Sequence, residues 1–162
     1  MGDATDAHDL PEPPKLWTVG EADLRLEGLR ELLPRLRAWA VRLQAISEER
    51  ERLATFWGAE LTAPDHPDKG LLDRLDRETE TLHGQLDTAV HGLHGEGIEV
   101  KDLDAGLIDF YGLVDREVVF LCWRRGEPDV AFYHRLDGGF RTRRPLDAKS
   151  RGPLPDLGRR TH

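Results

Sequence analysis

Two long stretches of the chain repeat an apolar residue every third or fourth position, and no other feature limits its fold as strongly. Leu29, Leu33, Leu36, Ala40, Leu43, Ile46 and Leu53 make the first stretch, and Leu72, Leu75, Thr79, Leu82, Leu86, Ala89 and Leu93 the second. Such spacing gathers side chains on one side of an α-helix, and the alternation of three and four in the second is that of a coiled-coil seam. Thr18 and Glu21 have the spacing of a capping box, which starts the first helix and carries it to about Trp57. Pro34 lies inside this pattern, and a mid-helix proline removes a hydrogen bond and collides with the preceding turn. A kink is expected there, or a short helix followed by a long one starting near Pro34. Residues 58–70 (GAELTAPDHPDKG) read as a loop, and Gly92, Gly95 and Gly97 close the second helix. From Pro34 to Trp57 a helix spans about 36 Å, and two of that length joined by a loop form an antiparallel hairpin.

Beyond residue 97 the pattern shortens. Residues 98–101, 107–110, 118–123 and 130–134 are β-type runs separated by turn formers, among them RRGEPD at 124–129 and Asp137-Gly138-Gly139. Residues 118–123 (VVFLCW) are apolar at every position, as in a central strand covered on both faces. The fold class is therefore α+β: a long antiparallel helical hairpin followed by a small, mostly antiparallel β-sheet, with disordered termini. Residues 1–15 form an acidic, Pro-rich leader, 16–143 a single domain (hairpin 16–96, β segment 97–143), and 144–162 a basic, Pro-rich tail.

Charge narrows the function classes. The 31 acidic residues outnumber the 23 basic ones, for a net charge of -8, which disfavours binding to nucleic acid phosphates. Seven basic and two acidic residues give positions 141–162 a charge of +5, a segment able to contact an acidic partner, although a solvated tail is the simpler reading. No run approaches the roughly 20 apolar residues of a membrane span. Cys122 is the sole cysteine, which excludes an internal disulfide, and with no signal peptide visible a cytoplasmic location is expected.

Three segments carry a likeness to a known family: GIEVKDLDAGLIDF (97–110), VVFLCWRRGEPDVAFYH (118–134) and GFRTRRPL (139–146). With ELLPRLR at 31–37, they resemble an uncharacterised bacterial family catalogued as domain of unknown function 2203. Tyr111 stands where that pattern carries proline, and the distance from Thr18 to Pro34 is several residues longer than usual. The resemblance implies a helical hairpin with a β segment and brings no established activity.

The reactive side chains concentrate in the β half. Lys101, Asp102, Asp104 and Asp109 surround a turn at Ala105-Gly106 and form candidate ligand-binding residues together with Glu127, Arg143 and Arg144. Asp is equally an ordinary turn former that bonds neighbouring amides, and Glu127 has Arg124, Arg125 and Arg143 as ion-pair partners across the sheet. Cys122, Glu127 and His134 are candidate ligands for a divalent metal such as zinc, but their spacing matches no recognised motif and the metal is not favoured. A turn pairing Trp123 with Val130 would set Val119 opposite His134 and send Cys122 and His134 to opposite faces; a slip of one residue reverses this. Cys122 then reads as a small core residue. His83, Asp87, His91 and His94 line one stripe of the second helix, about 100° from its apolar seam, where a solvated face is expected.

Phosphate loops, a Ser-His-Asp order, paired cysteines and dinucleotide fingerprints are all missing, so no reaction is assigned. Trp39, Phe56, Trp57 and Leu71 exceed what two helices cover by themselves. The favoured reading is thus a non-catalytic interaction or assembly module acting through its hairpin, with a homodimer or a partner helix completing it. The alternative is a metal- or small-ligand-binding domain, conceivably an enzyme, using the Asp/Cys/Glu/His cluster of the β segment.

Overall fold

The computed structural model describes residues 15–149. Helix α1 (Val19–Trp57) runs through a 3₁₀ turn (Gly58–Thr62) to α2 (Lys69–Gly95), and strands β1 (Ile98–Asp102), β2 (Leu107–Val114), β3 (Glu117–Arg124), β4 (Phe132–Arg135) and β5 (Arg144–Pro145) follow. The strands form one sheet in the order β1-β2-β3-β4-β5, with every neighbouring pair antiparallel. The molecule is α+β, a helical hairpin set against a meander sheet. No helix among the described residues is long and apolar enough to cross a membrane.

Both halves of the capping box form at the start of α1: Thr18 Oγ1 accepts from the Glu21 amide at 3.1 Å, and the Thr18 amide donates to Glu21 Oε1 at 3.3 Å. Of the two outcomes expected at Pro34, the division into a short and a long helix does not occur: α1 continues through it as one helix of 39 residues. A proline there costs about 3 kcal/mol. Against that stand Leu26, Leu29, Leu33 and Leu36, all sealed against the sheet on both sides of the proline, each worth roughly 1.5–3 kcal/mol of burial. Tertiary packing outweighs the local defect.

The leucine stripe of α1 lies on the inner sheet face, made by Ile98, Ile108, Phe110, Val119, Leu121 and Trp123. Trp17 closes one end of this core: its ring meets Phe110 edge-on at 5.4 Å and its indole N–H donates to the Glu96 carbonyl at 2.7 Å. The α2–β1 junction needs glycine at position 97, where φ is +78° and a Cβ would stand 2.6 Å from the Lys15 carbonyl oxygen. At the other end, Arg144 and Pro145 pair with β4 and Leu146 is buried in the core, so the ordered chain continues past the expected boundary at residue 143. The remaining leader (1–14) and tail (150–162) lie outside the described residues.

β2 and β3 are joined by a two-residue turn, Asp115-Arg116, with φ of +50° and +67°. Two positive φ values match the right-handed twist of a hairpin but suit Asn-Gly better than Asp-Arg. Past Trp39 on α1 and Leu86 on α2 the hairpin outruns the sheet core, and Ile46 and Leu75 are the buried apolar residues in its outer half, among those described.

Opposite outcomes are expected from two substitutions. Arg116→Gly relieves the left-handed backbone and raises unfolding stability by about 1 kcal/mol, whereas Gly97→Ala lowers it by about 1–3 kcal/mol, both measured by urea denaturation.

Candidate functional site

β3 has the parity of a strand covered on both sides: Val119, Leu121 and Trp123 face the helices, while Phe120 and Cys122 face outward and are also buried. The pairing then decides what joins Cys122 on the outer face. Asp109 of β2 is its direct cross-strand partner, and on the other side Phe120 stands opposite His134. The β3–β4 register therefore differs by one residue from the expected Val119–His134 pairing, because Arg125–Ala131 forms a wide connection and not a tight turn. With that shift, Cys122 and His134 share a face.

Asp109, Cys122 and His134 are all buried, and one ligand atom from each lies within 4.8 Å of the others. Among the described residues this is the set of three metal-capable side chains that converges so closely. His134 Nδ1 is 2.7 Å from the Arg135 carbonyl oxygen, a group that only accepts, so Nδ1 carries a hydrogen and donates it. Nε2 then faces Asp109 Oδ2 at 3.0 Å, with side chains 2% exposed on both residues. Two lone pairs at that distance need a proton between them, so the pair is either imidazolium with carboxylate or imidazole with carboxylic acid. Asp109 Oδ1 is buried with no hydrogen-bond partner of ordinary geometry. Burial raises the Asp109 pKa, opposed by the neighbouring Cys122 thiol and by the charges of His134 and Lys101. Burial, followed by the Asp109 charge, pushes the Cys122 thiol far above its ordinary range. A protonated thiol without solvent access is no nucleophile.

The other expected site residues distribute around this centre. Glu127 does not join Cys122 and His134: its carboxylate accepts the Arg124 amide at 2.7 Å and takes Arg143 Nη2 on both oxygens, each at 2.7 Å. The Arg143 guanidinium lies over Phe132 and Phe140, 4.1 and 4.6 Å from their centroids. Lys101 pairs with Glu99, which also accepts from the Tyr111 hydroxyl at 2.6 Å; that bond raises the Tyr111 pKa to about 12. Asp102 Oδ1 accepts the Ala105 amide at 2.9 Å as a turn former, and Asp104 pairs with Arg37. Arg144 sits exposed on β5. On α2, His83, Asp87, His91 and His94 are all exposed, as a solvated face requires.

Asp109 was the legible partner that spacing alone underrated. A carboxylate inside the apolar run LIDF is itself a signal, because an acid is rarely buried without a partner. The Glu99–Tyr111 contact and the Asp23 carboxylate that accepts the Val130 amide at 2.7 Å left no pattern in the sequence.

Two measurements check this geometry. The folded protein resists an aromatic disulfide reagent at about pH 8, where an unperturbed thiol begins to ionise, and the urea-unfolded chain reacts quickly. Rapid labelling of the folded form would contradict the sealed, protonated Cys122. Glu127→Ala strands Arg143 between two phenyl rings and is expected to cost about 2–3 kcal/mol in denaturant unfolding, just under the range for fully buried pairs.

The comparisons with known proteins align with this architecture at the level of family. No curated protein and no solved structure matches the chain. The family model described as "Uncharacterized conserved protein (DUF2203)" matches residues 15–146, from just before the bridge at Trp17 to the buried Leu146. That match covers both helices and the whole sheet, and the chain belongs to the DUF2203 family.

Proposed function

We propose that the protein is a non-catalytic assembly module of the cytosol whose outer hairpin docks onto a second copy of the chain. One observation carries this reading: the outer half of the hairpin is a two-helix layer with its apolar seam half open. Leu43, Leu53, Leu71, Leu72 and Leu82 are only partly buried there, and Phe56 at the tip is 78% exposed. A cleft of about 660 Å³ lies at the tip between the two helices and their connection, lined by Ala54, Leu61 and Leu72 and edged by Arg50 and Asp76. The pairs Arg42–Glu78 and Arg50–Asp76 tie α1 to α2 across this region, so the groove exists before any partner arrives. A two-helix layer covers its seam most simply by packing against another such layer, giving four helices around one core and a closed two-fold assembly. A partner helix from another protein is the competing occupant.

Light scattering of the full chain through the micromolar range is expected to give twice the 18.4 kDa monomer mass. Phe56→Asp, at an exposed residue whose ring meets Trp57 edge-on, is expected to weaken association about tenfold or more, ~1.4 kcal/mol, with a monomer that still folds. A monomer across that concentration range would overturn self-docking.

A further inference from the structure

We propose that Asp109, Cys122 and His134 hold a single divalent transition-metal ion of zinc's class, which staples β2, β3 and β4 together on the outer face of the sheet. The placement comes from the sheet itself. The three ligands sit on three adjacent strands, Asp109 directly opposite Cys122 and His134 one diagonal step away. Their ligand atoms lie within 4.8 Å of one another, and tetrahedral coordination to zinc sets such atoms roughly 3.3–3.8 Å apart. Closing the set therefore takes side-chain adjustments on the order of 1 Å.

The surroundings have the features of a metal site's outer shell. A ligating histidine ordinarily donates its other ring N–H to a carbonyl or carboxylate, which fixes the tautomer and aims the free nitrogen. His134 does so through the Nδ1–H bond to the Arg135 carbonyl, leaving Nε2 aimed at Asp109. Asp109 Oδ1 is sealed from solvent and makes no hydrogen bond of ordinary geometry, and the Cys122 thiol is the neighbour left to satisfy it. A poorly satisfied buried oxygen is costly, and a cation satisfies it directly.

Charge closes the argument. A divalent ion binds the Asp109 carboxylate, the Cys122 thiolate and the neutral His134 ring as a set of zero net charge. Two protons leave on binding, the one on the thiol and the one held between Asp109 and His134. The nearby ions add nothing to this balance, since Arg143 is paired with Glu127 and Lys101 with Glu99. The thiolate selects for zinc, cobalt or iron over magnesium and calcium, which prefer oxygen ligands. Three protein ligands leave the fourth tetrahedral position for water or a small ligand.

The test uses the full chain, stripped with chelator and refilled. Zinc titration is expected to show one ion per chain and a rise in melting temperature, reversed by chelator. Cobalt added in zinc's place is expected to give thiolate-to-cobalt charge transfer in the near ultraviolet, a signature that needs Cys122 and no variant. Cys122→Ala removes that band, and His134→Gln weakens zinc at least tenfold, whereas His91→Gln on the exposed stripe of α2 changes neither. Absence of both the band and stoichiometric zinc would overturn the proposal, leaving the trio a proton-bridged polar cluster. Zinc binding that survives Cys122→Ala and is lost with His91→Gln would also overturn it, by moving the site to α2.

Discussion

Everything in this molecule follows from the seating of four leucines of α1 on one face of the sheet. Leu26, Leu29, Leu33 and Leu36 share one buried core with Val119, Leu121 and Trp123 of β3, and this packing decides which face of the central strand points inward. Because side chains alternate along a strand, the same packing turns Phe120 and Cys122 outward. Pairing then draws Asp109 and His134 to their side. The packing also carries α1 unbroken through Pro34 and past the sheet, and the protruding half of that helix is the arm of the hairpin.

The two faces of the sheet are buried by different means. The inner face is covered by helices, and its buried residues are apolar. Among the described residues neither long helix covers the outer face, yet Phe120, Cys122, Asp109 and His134 are sealed. Part of the cover comes from long cationic side chains: Lys101 lies over Phe120, and Arg143 over Phe132 and Phe140. Their stems shield apolar rings while their charges are taken up by Glu99 and Glu127. The outer face thus encloses polar groups at low effective dielectric, which is why protons and charges there are tightly held.

What could be read from the sequence was whatever depends on neighbours along the chain. The Thr18–Glu21 cap, the loop after Trp57, the doubly buried run VVFLCW and the meander of short strands are all local patterns. The fate of Pro34 was not local, because the stabilisation that overrides it comes from residues 80 to 90 positions away in the sheet. The Cys122–His134 relationship hung on the register across a wide connection, where no tight turn imposes the pairing, and a shift of one residue inverted the answer. Glu127 and Asp109 changed places for a similar reason. Sequence proximity favoured Glu127 as the companion of Cys122, but Arg143 occupies it from 16 residues away and Asp109 arrives by strand pairing.

The anchoring of Trp17 has one more effect. Its amide donates to the Tyr111 carbonyl and its indole to the Glu96 carbonyl, while the Leu146 amide donates to the Ala131 carbonyl. The described chain therefore both enters and leaves at the sheet, and the far tip of the hairpin is a bend remote from both ends of the described segment. The molecule has a handle and a blade. Anything joined to either end of the fold sits on the handle, some tens of ångströms from Phe56 given the length of α1. A bulky attachment at one end leaves the blade unobstructed, and a surface tether there would present the hairpin tip outward.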